Sequence, residues 1–304
     1  MKIDWQGVFP AVTTQFNEDL SINLAETQRV VDDLIKDGVT GIIAMGTCGE
    51  NNSLTAEEKR LLLKAIVEVV AGRVPVVTGV SELTTPLAIA WVKDAEKLGA
   101  NGLMLLPAMV YVPKTAELVE HFTQVANATT LPIMLYNNPT AYRVAITNEA
   151  LEALRPVKNI VAVKESTADT RRFTDMVNAF GDRYILFAGL DDVAFEGLLL
   201  GAQGWVSGLT SAFPHESVML VKALEAGDID TAREIYRWFL PLLHLDAEHD
   251  LVQSIKLAEQ IMGRGSERVR MPRMPLTGAR RAEVTAMVEK AAATRPSLKI
   301  TKAA

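Results

Sequence analysis

The chain has one cysteine, Cys48, so no disulfide can form within it. Its four histidines are scattered without the paired spacing of a zinc site, and no metal is expected. Excess positive charge is missing too: 31 Lys and Arg against 37 Asp and Glu give a net charge of −6, which offers no footprint for nucleic acid. No window of about 18 residues is free of charge, as a membrane span would need. The opening MKIDWQGVFP lacks the basic and apolar segments of a signal peptide, so a cytoplasmic location is expected. What is present, 49% hydrophobic and 22% charged residues, suits a folded globular chain of one large or two modest domains.

Short apolar runs alternate with amphipathic segments. The runs are GVFPAVTTQF, GIIAMGTCGE, VPVVTGVS, GLMLLPAM, PIMLYNNP, IVAVKEST, YILFAGLDD and GWVSGLTSAF. Between them, segments such as ETQRVVDDLIKDG and TAEEKRLLLKAIVEVVAGR place apolar residues at three- and four-residue steps and read as helices. Alternation of this kind implies parallel strands joined by right-handed crossovers. About eight units predict a (β/α)8 TIM barrel over residues 1–227. An open doubly wound sheet fits less well, because PAVTTQFNED after the first strand has no glycine for a dinucleotide fingerprint. Thr55 and Glu58 have capping-box spacing, and Gly38, Gly72, Gly99 and Gly181 mark helix ends. Residues 228–304 read as a C-terminal extension of three helices, ending in the polar RPSLKITKAA.

Active sites of such barrels lie at the C-terminal ends of the strands, which here carry GTCGENNS, YNNP, VKES and GLDD. Lys164 is the unusual residue, a cation ending an apolar run in phase with Ile160 and Ala162. Burial of an unpaired ammonium is costly, and a neutral, nucleophilic amine is the usual escape. Thr47 and Cys48, between Gly46 and Gly49, form either a simple turn or an anion holder for a carboxylate. Tyr136 is a wall residue or a proton relay, and Asn138 a turn residue or a substrate contact. Cys48 has no histidine near it in the chain, which favours a small buried residue over a nucleophile.

In order and spacing, GTCGE, YNNP and VKES resemble the dihydrodipicolinate synthase and N-acetylneuraminate lyase superfamily, from about Val8 into the C-terminal helices. The resemblance implies a class I aldolase-type enzyme without cofactor, in which Lys164 forms a Schiff base with a 2-oxo acid and Tyr136 relays protons. It also implies that Thr47, Cys48 and Gly49 receive the substrate carboxylate and that Val206 lines the lysine pocket. Cys48 departs from the usual hydroxyl residue. An arginine expected five residues after the relay tyrosine is replaced by Ala141, with Arg143 two residues on. A tyrosine that would come from a partner subunit is displaced to Tyr111, in a loop at residues 109–113 with Met109, Val110 and Val112. That apolar loop implies a homodimer or homotetramer.

These departures, with NNSL and LHLDAEHDLVQ, look most similar to deaminases acting on Δ1-pyrroline-4-hydroxy-2-carboxylate in hydroxyproline breakdown. The expected partner is thus a small 2-oxo or cyclic imino acid. The alternatives are a dehydratase or aldolase of 2-keto-3-deoxy sugar acids, dihydrodipicolinate synthase itself, and a non-catalytic 2-oxo-acid-binding regulator.

Overall fold

The computed structural model describes residues 3–108 and 111–296. Eight parallel strands, β1 (Gly7–Pro10), β2 (Ile42–Ala44), β3 (Val76–Val80), β4 (Gly102–Leu105), β5 (Ile133–Asn137), β6 (Ile160–Glu165), β7 (Ile185–Ala188) and β8 (Gly204–Ser207), form one sheet. Neighbours in the sheet are neighbours in sequence, and β1 also lies beside β8, with Gly7 opposite Gly204. Just beyond β1, the Ala11 N–H donates to the Ser207 carbonyl (2.8 Å) and the Val12 N–H to the Ile43 carbonyl (3.0 Å). These bonds join β8 to β2 through one segment and close a TIM barrel. Among the described residues no helix is long and apolar enough to cross a membrane.

The first strand is shorter than its apolar run because the residues after it bond to elements distant in sequence. After Pro10, the side chains of Thr13, Thr14 and Gln15 bond to other elements, Thr14 Oγ1 donating to the Gly49 carbonyl at 2.7 Å. The barrel's helices are α1 (Leu24–Lys36), α2 (Ala56–Val70), α3 (Thr85–Lys97), α4 (Thr115–Asn127), α5 (Pro139–Tyr142), α6 (Asn148–Leu154), α7 (Arg171–Phe180), α8 (Ala194–Leu199) and α9 (Pro214–Glu225). Helix α1 buries Thr27, Val30, Val31 and Leu34, the three- and four-residue spacing of a core-facing stripe. Both bonds of the Thr55–Glu58 capping box are made, and Gly38, Gly72, Gly99 and Gly181 all have positive φ. Helices α5 and α6 are too short, at 4 and 7 residues, to announce themselves by periodicity.

Three helices follow the barrel: α10 (Ile229–Leu243), α11 (Leu251–Ile261) and α12 (Gly278–Ala293). Phe239 of α10 meets Trp205 of β8 edge-on, with ring centroids 6.5 Å apart. Helix α11 enters more deeply. Lys256 Nζ lies 2.9 Å from Glu50 Oε1 and 2.8 Å from the Thr14 carbonyl, and both side chains of the ion pair are fully buried. Glu50 Oε2 accepts the Arg270 N–H at 2.9 Å. One turn of helix further on, Glu259 accepts from Thr13 Oγ1 at 2.7 Å. Removing one member of a buried pair strands the other charge, at a cost of about 3–5 kcal/mol. Lys256→Ala is expected to lose stability on that scale, and Lys256→Met with Glu50→Gln to lose much less. Urea-unfolding midpoints test this; equal losses in the two variants would show that the ion pair itself carries no weight.

Candidate active site

Lys164 is the penultimate residue of β6, and parallel register sets it directly opposite Tyr136 of β5 on one side and Phe187 of β7 on the other. A register shift between Ile133 and Met134 leaves Val161 out of the ladder, so the pairing that fixes the lysine begins at Ala162. Lys164 is 6% exposed, and its Nζ lies 3.9 Å from the centroid of the Tyr136 ring. Its neighbour Glu165 points to the other face of the strand, where Asn137 Nδ2 donates to both carboxylate oxygens at 2.9 Å and Arg172 Nε to one at 3.3 Å. Burial raises the Glu165 pKa, and Asn137 and Arg172 oppose that rise. The adjacent opposite charges in VKES thus serve separate environments.

Gly189, at the end of β7, keeps the lysine's path open. A Cβ there would lie 2.6 Å from Lys164 Cγ, 2.7 Å from its Cε and 2.3 Å from Ser166 Oγ. Ser166 is buried, and its hydroxyl acts on the Tyr136 phenol, opposing the rise that burial imposes on that group.

Six of the residues singled out in the sequence, Thr47, Cys48, Tyr136, Asn138, Lys164 and Val206, line one cavity at the strand ends. Asn138 Nδ2 donates to the Tyr136 hydroxyl at 3.2 Å. Burial raises the phenol pKa, so Tyr136 enters any reaction protonated. Burial likewise raises the Cys48 thiol, and the nearby Asp246 acts in the same direction, leaving a neutral thiol instead of a nucleophile. The turn holding Thr47 and Cys48 is bracketed by two non-glycine residues in the left-handed region, Met45 at φ 52° and Glu50 at φ 54°. Asn51 Nδ2 holds the Met45 carbonyl at 2.8 Å, and Lys256 holds Glu50.

Gly49 does not line the cavity. Its carbonyl is taken by Thr14, and an added Cβ would strike the Met45 backbone at 2.8 Å, so this glycine serves close packing beneath the turn. Arg143 is also elsewhere: it caps the one-turn α5 at φ 59°, exposed and off the cavity, while Ala141 and Tyr142 line it. Tyr142 packs edge-on against Tyr136, centroids 5.7 Å apart, and its hydroxyl shares a short hydrogen bond with Thr47 Oγ1. Tyr111 is 57% exposed beside a different hollow, with Leu83, Pro113, Leu118 and His121. Met109 and Val110 of its loop lie outside the described residues.

Gly189, Tyr142 and Asp246 are wall residues that sequence reasoning did not select. Gly189 had a signal in GLDD, and Tyr142 was overshadowed by Arg143. Asp246 had none, because nothing in LHLDAEHD shows where that segment docks.

Residues 4–291 match the Dihydrodipicolinate synthetase family. A 4-hydroxy-tetrahydrodipicolinate synthase from an Exiguobacterium species is 35% identical over 89% of this chain and 91% of its own. One from Neisseria meningitidis serogroup B is 31% identical over 93% of this chain and 98% of its own. Among solved structures, a dihydrodipicolinate synthase from Bacillus anthracis superposes with a TM-score of 0.91 at 29% identity, covering 97% of this chain and 100% of that one. YagE, a prophage protein of this family from E. coli K12 solved with pyruvate, gives 0.89 at 28% identity, covering 95% and 99%. With an eight-stranded barrel and a lysine at the end of β6, the chain belongs to the dihydrodipicolinate synthetase family of class I, Schiff-base-forming lyases.

Proposed function

We propose that Lys164 condenses with the keto carbon of a small 2-oxo acid whose carboxylate rests on the Thr47–Cys48 turn, and that Tyr136 carries protons to and from the reacting atoms. The observation that carries this is the Lys164 amine 3.9 Å from the Tyr136 ring centroid in a cavity shared with that turn. The neutral amine adds to the C2 carbonyl, and loss of water leaves an imine whose protonated nitrogen draws electrons from C3. The C3 proton leaves to a base, and the resulting enamine either attacks an aldehyde or expels a group further along. In the reverse sense, water attacks the imine, freeing product and lysine.

The relatives' names make pyruvate and 4-hydroxy-tetrahydrodipicolinate synthesis the first assignment for the second half of the reaction. A second assignment has one observation in its favour. Among the described residues, Asp246 is the only charged side chain on the cavity wall apart from Lys164, with Ala141 where an arginine was expected and Arg143 outside. That wall suits a hydroxylated or cyclic imino acid, as in a 2-keto-3-deoxy acid dehydratase or a Δ1-pyrroline-4-hydroxy-2-carboxylate deaminase. The deaminase has no counterpart among the relatives' names.

Borohydride reduction in the presence of pyruvate should attach the substrate to the peptide containing VKEST; attachment at another lysine would refute the role of Lys164. Parallel assays then separate the assignments: condensation of pyruvate with aspartate semialdehyde, dehydration of a 2-keto-3-deoxy acid, and ammonia release from the imino acid. Turnover on none of the three, with pyruvate still trapped, would leave a binding protein. Tyr136→Phe should still form the imine but lower kcat by about 10²-fold or more. An unchanged kcat takes Tyr136 out of the proton path.

The same proposal includes self-association through the loop of Tyr111. Tyr111, 57% exposed, shares a hollow with Leu83, 54% exposed, and Val112 next to it in the chain is 65% exposed. Light scattering at micromolar concentration should show a dimer or tetramer that Tyr111→Ala weakens, whereas a fully active monomer rules the association out.

A further inference from the structure

Asp246 takes no part in the chemistry above, yet it lies on the same cavity wall as Lys164. It comes from outside the barrel, in the single 3-10 turn His244–Ala247 between α10 and α11. Its Oδ2 accepts the Asp191 N–H at 3.3 Å, which fixes the carboxylate at the end of β7. Its Oδ1 hydrogen-bonds to no described residue. That atom lies over Gly208, where an added Cβ would stand 3.0 Å from Oδ1 and 3.4 Å from Cys48 Sγ. Ile255 Cδ1 stands nearer still, 2.5 Å from that added Cβ, and Asp246, Gly208 and Cys48 line the cavity together.

The surrounding charges are already engaged. Asp191 is buried and accepts from Trp205 Nε1 (2.9 Å), Ser207 Oγ (3.1 Å) and the Leu209 N–H (3.0 Å). Asp192 is bonded to His244 Nδ1 at 2.9 Å. Lys164 is the one cation on the same wall and makes no ion pair with Asp246. Burial pushes the Asp246 carboxyl above its usual range, and the charge of Lys164 draws it back.

We propose that Asp246 reads the end of the substrate remote from the Schiff base: it accepts hydrogen bonds from a hydroxyl, ammonium or ring N–H there and excludes a second carboxylate. This rests on the Schiff-base assignment of Lys164 and, because aspartate semialdehyde would bring a second carboxylate, it favours the second assignment over the first. The physical ground is that an ionised carboxylate only accepts. A hydroxyl or N–H completes its bonding, whereas another carboxylate in the same enclosed space brings like charges together.

The test is borohydride trapping at Lys164 in the full-length protein and its Asp246→Asn variant, with three probes: pyruvate, 2-keto-3-deoxygluconate and 2-oxoglutarate. Half-saturating concentrations are expressed relative to pyruvate in each protein. In the variant, preference for the hydroxylated acid should fall by about 10- to 100-fold, the range for a hydrogen bond to a charged group. Preference for the dicarboxylate should rise. A purely structural role would weaken all three probes in parallel and leave both ratios unmoved, which overturns the assignment of Asp246 alone. No pyruvate adduct at Lys164 in the unaltered protein would overturn the Schiff-base assignment and this inference with it.

Discussion

Lys256 and Glu50 meet at 2.9 Å with no solvent access to either side chain, and the shape of the turn after β2 hangs on that contact. Burying two charges is unfavourable unless their remaining bonding capacity is met. Here the Thr14 carbonyl and the Arg270 N–H complete the set, and Lys256 also lies 4.5 Å from the centre of the Phe16 ring. Glu50 can therefore remain in the left-handed region, and the residues before it present Thr47 and Cys48 to the cavity. The lysine belongs to α11, so the C-terminal helices hold part of the active site in place as well as covering the barrel. The same stretch brings Asp246 and Leu251 to the cavity wall.

Around Lys164 the arrangement is the opposite: a buried amine beside an aromatic face, with the carboxylates kept out of contact. Glu165 is turned outward by strand alternation and satisfied by Asn137 and Arg172. Asp246 shares the cavity without pairing to the lysine. A carboxylate in ion-pair contact favours the charged ammonium, which cannot add to a carbonyl. Asp246 and Lys164 still interact through their charges across the cavity, and the lysine's aromatic neighbour depends on register: Tyr136 is opposite Lys164 because the bulge at Val161 precedes that pairing.

Much of the barrel was legible because strands buried on both faces appear as unbroken apolar runs, while helices between them repeat at three and four residues. Caps were legible for an equally local reason, as at Thr55 and Glu58. The misses have non-local causes. The run GVFPAVTTQF leaves the sheet after Val12, where Thr13 and Thr14 have partners on α11 and at the Gly49 carbonyl. Gly49 and Gly189 are both glycines at strand ends, yet one serves packing beneath a turn and the other clears a path for Lys164, a distinction that exists only in three dimensions. Arg143 drew notice as the nearest cation to a missing one, but the single turn of α5 puts Tyr142 on the cavity and Arg143 in solvent.

The two halves of the reaction are encoded differently. The roles proposed for Schiff-base formation fall on Lys164, Tyr136 and the Thr47–Cys48 turn, all fixed by strands and the turn that follows β2, and the family match covers them within residues 4–291. The rest of the cavity wall comes in part from α5 and from the turn between α10 and α11, where Ala141, Tyr142 and Asp246 stand. Such segments change without disturbing the barrel. Relatives at 31–35% identity therefore define the first half closely while leaving the second to the side chains this chain places there. Those side chains place a carboxylate, a phenol and a methyl group on the cavity wall and, among the described residues, no basic group beyond Lys164.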